Sequence, residues 1–160
     1  MVKKIMIKIQ GSQNLNSQNT DSVELTTYGT MEYTEDGCKV VYEESELTGM
    51  QGTTTTINVE KTGKITLNRM GTTNSCLVFE EGQKHMSYYD MGEGAFTISV
   101  YTNYLEADIN KVGGEIEIEY LLEVDNKVLG TNVIRLDFKY VDGGYWQYWY
   151  TAWFLIFDCI

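Results

Sequence analysis

Apolar and polar residues alternate along much of this chain, a pattern that predicts β-strands rather than helices. In residues 114–124, Ile116, Ile118 and Tyr120 alternate with glutamates, which is typical of a strand with one buried and one solvated face. The same alternation occurs in three other stretches, residues 4–10, 105–110 and 134–140. Before the C-terminal tail, no long segment keeps a helical period, so we expect an all-β protein.

Short turn motifs separate the strand-like stretches. They contain Gly, Asn or Asp, which accept the positive φ of tight hairpin turns. The motifs are Glu35-Asp36-Gly37, Lys61-Thr62-Gly63, Glu81-Gly82, Val112-Gly113-Gly114 and Asp125-Asn126. They predict about ten antiparallel strands, whose apolar faces require closure into a barrel or pairing of two sheets. The stretch at residues 11–21 is rich in Asn, Gln and Ser, and we expect a polar loop there.

The C-terminal tail differs from the rest of the chain. Residues 145–157, YWQYWYTAWFLIF, include eight aromatic residues and no charged one. The segment lacks the polar face of an amphipathic helix, lacks the alternation of a strand, and is too short to span a bilayer. Three interpretations stay open. The tail closes a barrel end or adds an edge strand, it forms a self-association surface that gives a homodimer, or it is not native to the domain.

Charge and cysteine content limit the compartment and the partners. The formal net charge of −11 argues against nucleic acid as a partner, because basic residues supply most of the affinity for phosphates. Cys38, Cys76 and Cys159 form no CxxC motif, and there is one histidine, so we expect reduced thiols, no metal site and no cofactor. Lys8 interrupts the N-terminal apolar stretch, which excludes a signal-peptide core. No run is long enough for a membrane helix, and we expect a cytoplasmic protein.

Four ordered motifs carry a family resemblance: VVYEESELTGMQGTTTTINV, ITLNRMG, LVFEEGQKHMSYYDMGEGAFTISVYT and GGEIEIEYLLEV. Together they resemble the bacterial family of unknown function numbered 1934, the YwiB-like proteins, from about residue 3 to residue 140. The resemblance implies a single antiparallel up-and-down β-barrel of lipocalin-like (calycin) type with about eight to ten strands. It implies no activity. It divides the chain into a barrel domain, residues 1–140, and the aromatic tail, residues 141–160.

Strand parity places one arginine and one glutamate on inward faces. Arg69 shares a face with Ile65 and Leu67, and Glu44 shares a face with Val40 and Tyr42. Because an unpaired buried charge is costly, we expect Arg69 and Glu44 to pair. Arg69 could instead bind the carboxylate or phosphate of a ligand, since its guanidinium matches these anions. Arg135 has the opposite parity and is predicted to lie on the surface.

Inward-facing aromatic residues are the other candidate ligand contacts. By parity we assign Tyr33, Tyr42, Tyr88, Phe96 and Tyr120 to the interior. In a barrel of about eight strands such residues either fill the core or line an amphipathic pocket. The candidate ligand-binding residues are therefore Arg69, Glu44, Tyr42, Tyr33, Tyr88 and Tyr120.

No arrangement of residues predicts catalysis. His85 and Ser87 share a strand face, but no GxSxG elbow accompanies them, and His85 is predicted to be a surface or rim residue. Glu115, Glu117 and Glu119 lie on a solvated face. Two hypotheses remain. The first is a non-catalytic barrel that binds a small apolar or amphipathic ligand, which could be anionic. The alternative is a packed structural or protein-interaction module without a small ligand.

Overall fold

Alternating residues build ten β-strands, and the computed structural model describes residues 1–15, 19–90 and 92–141. Many strand positions are Val, Ile, Thr or Tyr, whose side chains suit a pleated, half-buried surface. The strands are β1 (Val2–Leu15), β2 (Asn19–Thr34), β3 (Gly37–Glu43), β4 (Thr53–Glu60), β5 (Ile65–Gly71), β6 (Asn74–Phe79), β7 (Lys84–Asp90), β8 (Ala95–Asn110), β9 (Gly113–Val124) and β10 (Lys127–Tyr140). A single 3-10 turn, Glu46–Thr48, lies between β3 and β4.

The strands form one closed antiparallel barrel. Each strand pairs with its neighbour in sequence, and β10 also pairs with β1, which closes the sheet. Val141 continues this closure, since its N–H donates to the carbonyl oxygen of Lys4 at 3.1 Å. The up-and-down barrel implied by the resemblance, and the predicted number of strands, are confirmed.

Strand parity decides which side chains fill the interior. Ile5 and Ile7 of β1 are fully buried, as are Ile116 and Ile118 of β9, whereas Glu115 is exposed. The predicted apolar face of each of these strands is therefore confirmed. The buried apolar side chains form one continuous core along the barrel axis.

The predicted turn motifs connect the strands as expected. Asp125 and Asn126, between β9 and β10, have φ values of 47° and 63°. Two consecutive residues with positive φ match the type I′ hairpin, whose twist suits the flanking strands. Tight turns at residues 35–36, 61–64, 80–83 and 111–112 lie at one end of the barrel, which we call the hairpin end. The other end holds residues 44–52, 72–73 and 125–126, and we call it the Arg69 end.

The predicted polar loop at residues 11–21 is wrong for most of its length. β1 extends to Leu15 and β2 begins at Asn19, with Ser12 opposite Ser22 and Asn14 opposite Thr20. A ladder of backbone hydrogen bonds does not require apolar side chains, so polar residues can extend a hairpin beyond the core.

Two of the three cysteines, Cys38 and Cys76, are free thiols. Cys159 and nearly all of the aromatic tail lie outside the described residues. The ladder between β6 and β7 has two residue pairs, the fewest of any neighbouring strands in the described chain. None of the described segments forms a helix of the length and apolarity that crossing a bilayer requires.

Candidate ligand site inside the barrel

A row of inward-facing polar residues crosses the barrel near the Arg69 end. Tyr42 lies opposite Thr55, Thr55 lies opposite Arg69, and Arg69 lies opposite Ser75 on successive neighbouring strands. Directly opposite residues of an antiparallel ladder point to the same face, so these four side chains face the same interior. We call them the polar row. The next row toward the hairpin end is apolar and consists of Val40, Ile57, Leu67 and Leu77.

Glu44 follows β3 and is buried next to the polar row. Its side chain is 2% exposed, and its Oε1 atom accepts a hydrogen bond from Thr55 Oγ1 at 2.5 Å. Nε of Arg69 lies 3.6 Å from the same oxygen, and the Arg69 side chain is 17% exposed. The predicted pairing of Arg69 with Glu44 is therefore present. At 3.6 Å it is an ion contact and not a hydrogen bond, so Arg69 Nε keeps its donor unused.

Buried polar atoms without partners mark this part of the interior. Nε of Arg69, Oγ of Ser75 and Oγ1 of Thr102 have no hydrogen-bond partner within the part of the chain that the structure describes. Ser75 is 8% exposed and Thr102 is fully buried. Most buried polar groups in proteins are hydrogen-bonded, so the unpartnered atoms of Arg69 and Ser75, which lie directly opposite each other, point to an interaction site. Thr102 lies apart from them, since its backbone bonds to Gly82 and Gln83 next to the turn at residues 80–83.

Two buried tyrosines complete the site. Burial raises the pKa of Tyr42, and the negative charge of Glu44 raises that pKa further, whereas the charge of Arg69 lowers it. Burial also raises the pKa of Tyr120, against the opposing effect of Arg69. Both phenols are therefore protonated at neutral pH, and that of Tyr42 is hydrogen-bonded to Thr55 and Glu44. The ring of Tyr120 packs edge-to-face against Phe79 with 5.1 Å between centroids, which fixes its position above the apolar core.

Tyr33 lies at the hairpin end and not with Arg69. It pairs with Cys38 next to the turn at residues 35–36 and is 38% exposed. It lines a cavity of about 290 Å³ together with Met1, Lys3, Met31 and Lys111. Tyr33 therefore does not share one ligand site with Arg69, as its place among the candidate ligand-binding residues required, because parity assigns the face of a residue but not the end of the barrel.

Tyr88 faces outward, and its predicted place in the interior is also wrong. It is 77% exposed, whereas its neighbour Ser87 lies opposite the buried Ile98 and thus faces the interior. In KHMSYYD, the more apolar residues Met86 and Tyr88 face outward. The rule that the more apolar face of a strand points into the barrel therefore fails for β7. Tyr89 and Phe96 lie opposite each other with inward parity. Phe96 is nevertheless 42% exposed, because it lies at the start of β8.

The comparison with known proteins gives a family and a fold. A sequence model of the family "Domain of unknown function (DUF1934)" matches residues 7–136. The chain belongs to this family. The crystal structure of the ywiB protein from Bacillus subtilis is similar, with a TM-score of 0.76 and 15% sequence identity over 88% of this chain and 94% of that chain. At this identity the likeness shows the fold alone. A comparison with curated proteins found no match.

In this DUF1934 chain the sequence pattern did not predict three buried polar residues, Thr55 and Ser75 of the polar row and Thr102 outside it. Thr55 has the parity of the apolar Ile57, Ser75 has the parity of Leu77, and Thr102 lies opposite Tyr120. The signal for Thr55 and Ser75 was a small polar residue in phase with a buried apolar one. For Thr102 that signal is masked, because an irregularity between Thr102 and Tyr104 shifts the register of β8.

His85 has a partner other than Ser87. Its Nε2 atom lies 3.2 Å from Oε2 of Glu80, and Ser87 Oγ donates to the carbonyl oxygen of Tyr88 at 3.3 Å. The side chain of His85 is 34% exposed, in agreement with its predicted place at the rim. No group of three or more His, Cys, Asp or Glu residues within 1–15, 19–90 and 92–141 is arranged to hold a metal ion.

The outer face across β1, β10, β9 and β8 is acidic and solvated. It contains a cavity of about 340 Å³ whose lining includes Glu106, Asp108, Glu115, Glu117 and Asp137. Arg135 lies on this face, as predicted, with Nε 3.0 Å from Oε2 of Glu117. Its hydrogen bond lowers the pKa of the Glu117 carboxyl. The carboxylates on this outer face are exposed to solvent. They therefore differ from the interior site, where polar atoms are buried and unpartnered.

Proposed function

We propose that this DUF1934 protein is a non-catalytic barrel that binds a small apolar or amphipathic molecule in its interior. The observation that carries the proposal is the pair of buried, unpartnered polar atoms on Arg69 and Ser75, which lie directly opposite each other. An unsatisfied buried polar group costs about 1–3 kcal/mol, and a ligand that hydrogen-bonds to it removes that cost. Arg69 can donate to either a neutral or an anionic head group.

The continuation of the polar row supports an amphipathic ligand. Beyond Ser75, the row reaches Tyr89 and then Phe96, each directly opposite the previous residue. Phe96 is inward in parity but partly exposed, so its ring is available to an apolar group at the Arg69 end. A ligand would therefore place its polar head on Arg69 and its apolar part against these rings.

The proposal sets the protein in the cytoplasm. Cys38 and Cys76 are free thiols, and free cysteines are typical of reducing compartments.

Native mass spectrometry of the protein purified from its own host tests the binding function. We expect a small molecule to accompany the wild-type chain and to be lost from Arg69→Met. Arg135→Met removes an arginine from the outer face and should retain the molecule. Wild-type protein that carries no small molecule, at natural expression levels and under gentle desolvation, would contradict the proposal.

The alternative, a packed protein-interaction module, is favoured by a different observation. Met86 and Tyr88 project outward from β7 and are 66% and 77% exposed. Large exposed apolar groups next to each other are typical of contact surfaces. Sedimentation velocity would then show concentration-dependent association that a Met86→Ser/Tyr88→Ser variant lacks, and no ligand would accompany the protein. If the wild-type chain stays monomeric at all concentrations, the outward face of β7 does not mediate self-association.

A further inference from the structure

We propose that the interior site selects a ligand head group that is uncharged overall and carries both a hydrogen-bond donor and an acceptor, such as a primary carboxamide. The site should prefer such a head to a carboxylate or an ammonium group of the same size. This inference rests on the proposed binding function and names the chemistry of its ligand.

The first argument is the charge balance of the site. Arg69 and Glu44 contribute one positive and one negative charge, 3.6 Å apart and both largely buried. An anionic head would have to share Arg69 with Glu44 and would lie near a second negative charge. At an effective dielectric constant of about 20, such a repulsion weakens binding by at least about tenfold. A cationic head group would have to share Glu44 with Arg69 and would be repelled by the positive charge of Arg69.

The second argument is the kind of hydrogen bond that the site offers. Arg69 Nε is a donor in need of an acceptor, while the unpartnered hydroxyl of Ser75, directly opposite Arg69, can donate and accept. The carboxylate of Glu44 is an acceptor only, with lone pairs beyond those that Thr55 and Tyr42 use. A carboxylate ligand can satisfy only the donors of this set. A carboxamide can satisfy the donors through its oxygen and the acceptors through its NH₂ group.

Glu44 is therefore the specificity-determining residue of the site. It neutralises Arg69 from within the protein, so the ligand does not have to do so. Glu43, the preceding residue, is exposed on the outer side of β3 and accepts a hydrogen bond from Thr54 at 2.7 Å. Glu43→Gln changes the net charge of the chain as Glu44→Gln does, but not the charge of the interior, which makes it the matched control.

The test is a titration of the full chain with hexanamide, hexanoate and hexylammonium at pH 7, followed by amide chemical shifts. We expect hexanamide to shift the amides of Tyr42, Thr55, Arg69 and Ser75 with an affinity at least about tenfold higher than the other two probes. In Glu44→Gln the order should reverse, with hexanoate binding more tightly than hexanamide. Glu43→Gln should keep the wild-type order.

The wild-type comparison is sufficient even where Glu44→Gln fails to fold. Hexanoate or hexylammonium binding to the wild-type chain as tightly as hexanamide, at these same amides, overturns the inference and leaves the proposed function intact. Absence of shifts at the polar row with all three probes up to about 10 mM, where ligands of this size bind, overturns the proposed function itself.

Discussion

Arg69 and Glu44 hold opposite charges inside the barrel, and their burial sets the cost of losing either partner. Removing one member of a buried pair leaves the other as an uncompensated charge, whereas removing both leaves two neutral side chains. The unused donor on Arg69 Nε shows that the contact is not fully satisfied within the described chain. The pair is therefore not an optimised stabilising interaction, and it leaves a donor for the ligand that we propose.

A double-mutant cycle measures this interaction. We expect Arg69→Met and Glu44→Gln each to lower the free energy of unfolding by about 2–4 kcal/mol, and the double variant to lose clearly less than their sum. Urea denaturation of the four proteins provides the free energies. Arg135→Met, whose side chain is 60% exposed, should cost less than about 1 kcal/mol. Additive effects at Arg69 and Glu44 would show that the two side chains do not interact in solution.

Cys38 makes stability sensitive to alkaline pH. Burial raises the pKa of its thiol to about 11, against about 8.5 in an unfolded chain. Between these values the unfolded thiol ionises and the folded one does not, so the stability that the neutral thiol contributes is complete below about pH 8.5 and is lost as pH rises toward 11. Urea denaturation from pH 7 to pH 10 should show a smaller decline for Cys38→Ala than for the wild type. Equal declines would mean that Cys38 is not shielded from water.

Among the strands, Gly29 of β2 leaves no room for a side chain next to β3. A Cβ atom at this position would collide with the carbonyl oxygen of Val41 and lie 3.0 Å from both Ile7 Cδ1 and Tyr42 Cβ. Glycine is thus the only residue type at position 29 that lets β3 pack this closely against β2 and carry Tyr42 into the polar row. The position of Tyr42 in the candidate site therefore depends on the contact of Gly29 with β3, although Gly29 has no side chain that could bind a ligand.

Gly29→Ala tests this contact, with Gly11→Ala as the matched control in the neighbouring strand. We expect Gly29→Ala to destabilise the protein by about 1–3 kcal/mol, because backbone atoms must move to admit the methyl group. A Cβ at Gly11 meets nothing within 4 Å, so that substitution should be neutral or slightly stabilising. Thermal unfolding of both variants supplies the comparison. Equal melting temperatures would mean that β2 and β3 are further apart than the structure places them.

The strand β7 shows why faces are easier to predict for some elements than for others. In β9, glutamates mark the solvated face without ambiguity. In β7, His85 and Ser87 face inward and Met86 and Tyr88 face outward, against their hydrophobicity. β7 also has the shortest ladder with its neighbour β6, so less of its surface is buried and its pattern is less constrained. The sequence of β7 alone cannot reveal this, because the weak pairing is a property of two strands.

At the scale of the whole molecule, the barrel closes before the aromatic tail begins. β10 pairs with both β9 and β1, and Val141 is bonded to Lys4 at the hairpin end, away from Arg69. Each strand of the described chain has a neighbour on both sides, although the ladder between β6 and β7 has two residue pairs. We propose that the tail is separable from the barrel and that it mediates self-association.

Deletion of residues 143–160 tests that separation. We expect the truncated chain to keep the β-sheet circular dichroism spectrum and nearly the same melting temperature, because every pair of neighbouring strands is retained. We also expect it to elute as a smaller species in size-exclusion chromatography, since the uncharged aromatic segment proposed to self-associate is removed. Loss of the cooperative thermal transition would instead assign the tail to the core of the barrel, as the plug interpretation requires.

The sequence by itself determined the all-β class, the turns, the number of strands and the family, because alternation and turn chemistry are local properties. It also determined that Arg69 and Glu44 face the same interior, since parity is conserved along an undisturbed strand. The tertiary structure alone decided which residues share a row and an end of the barrel. It grouped Thr55 and Ser75 with Arg69, separated Tyr33 from them, and turned Tyr88 outward. Those relations depend on register, which backbone pairing between distant parts of the chain sets.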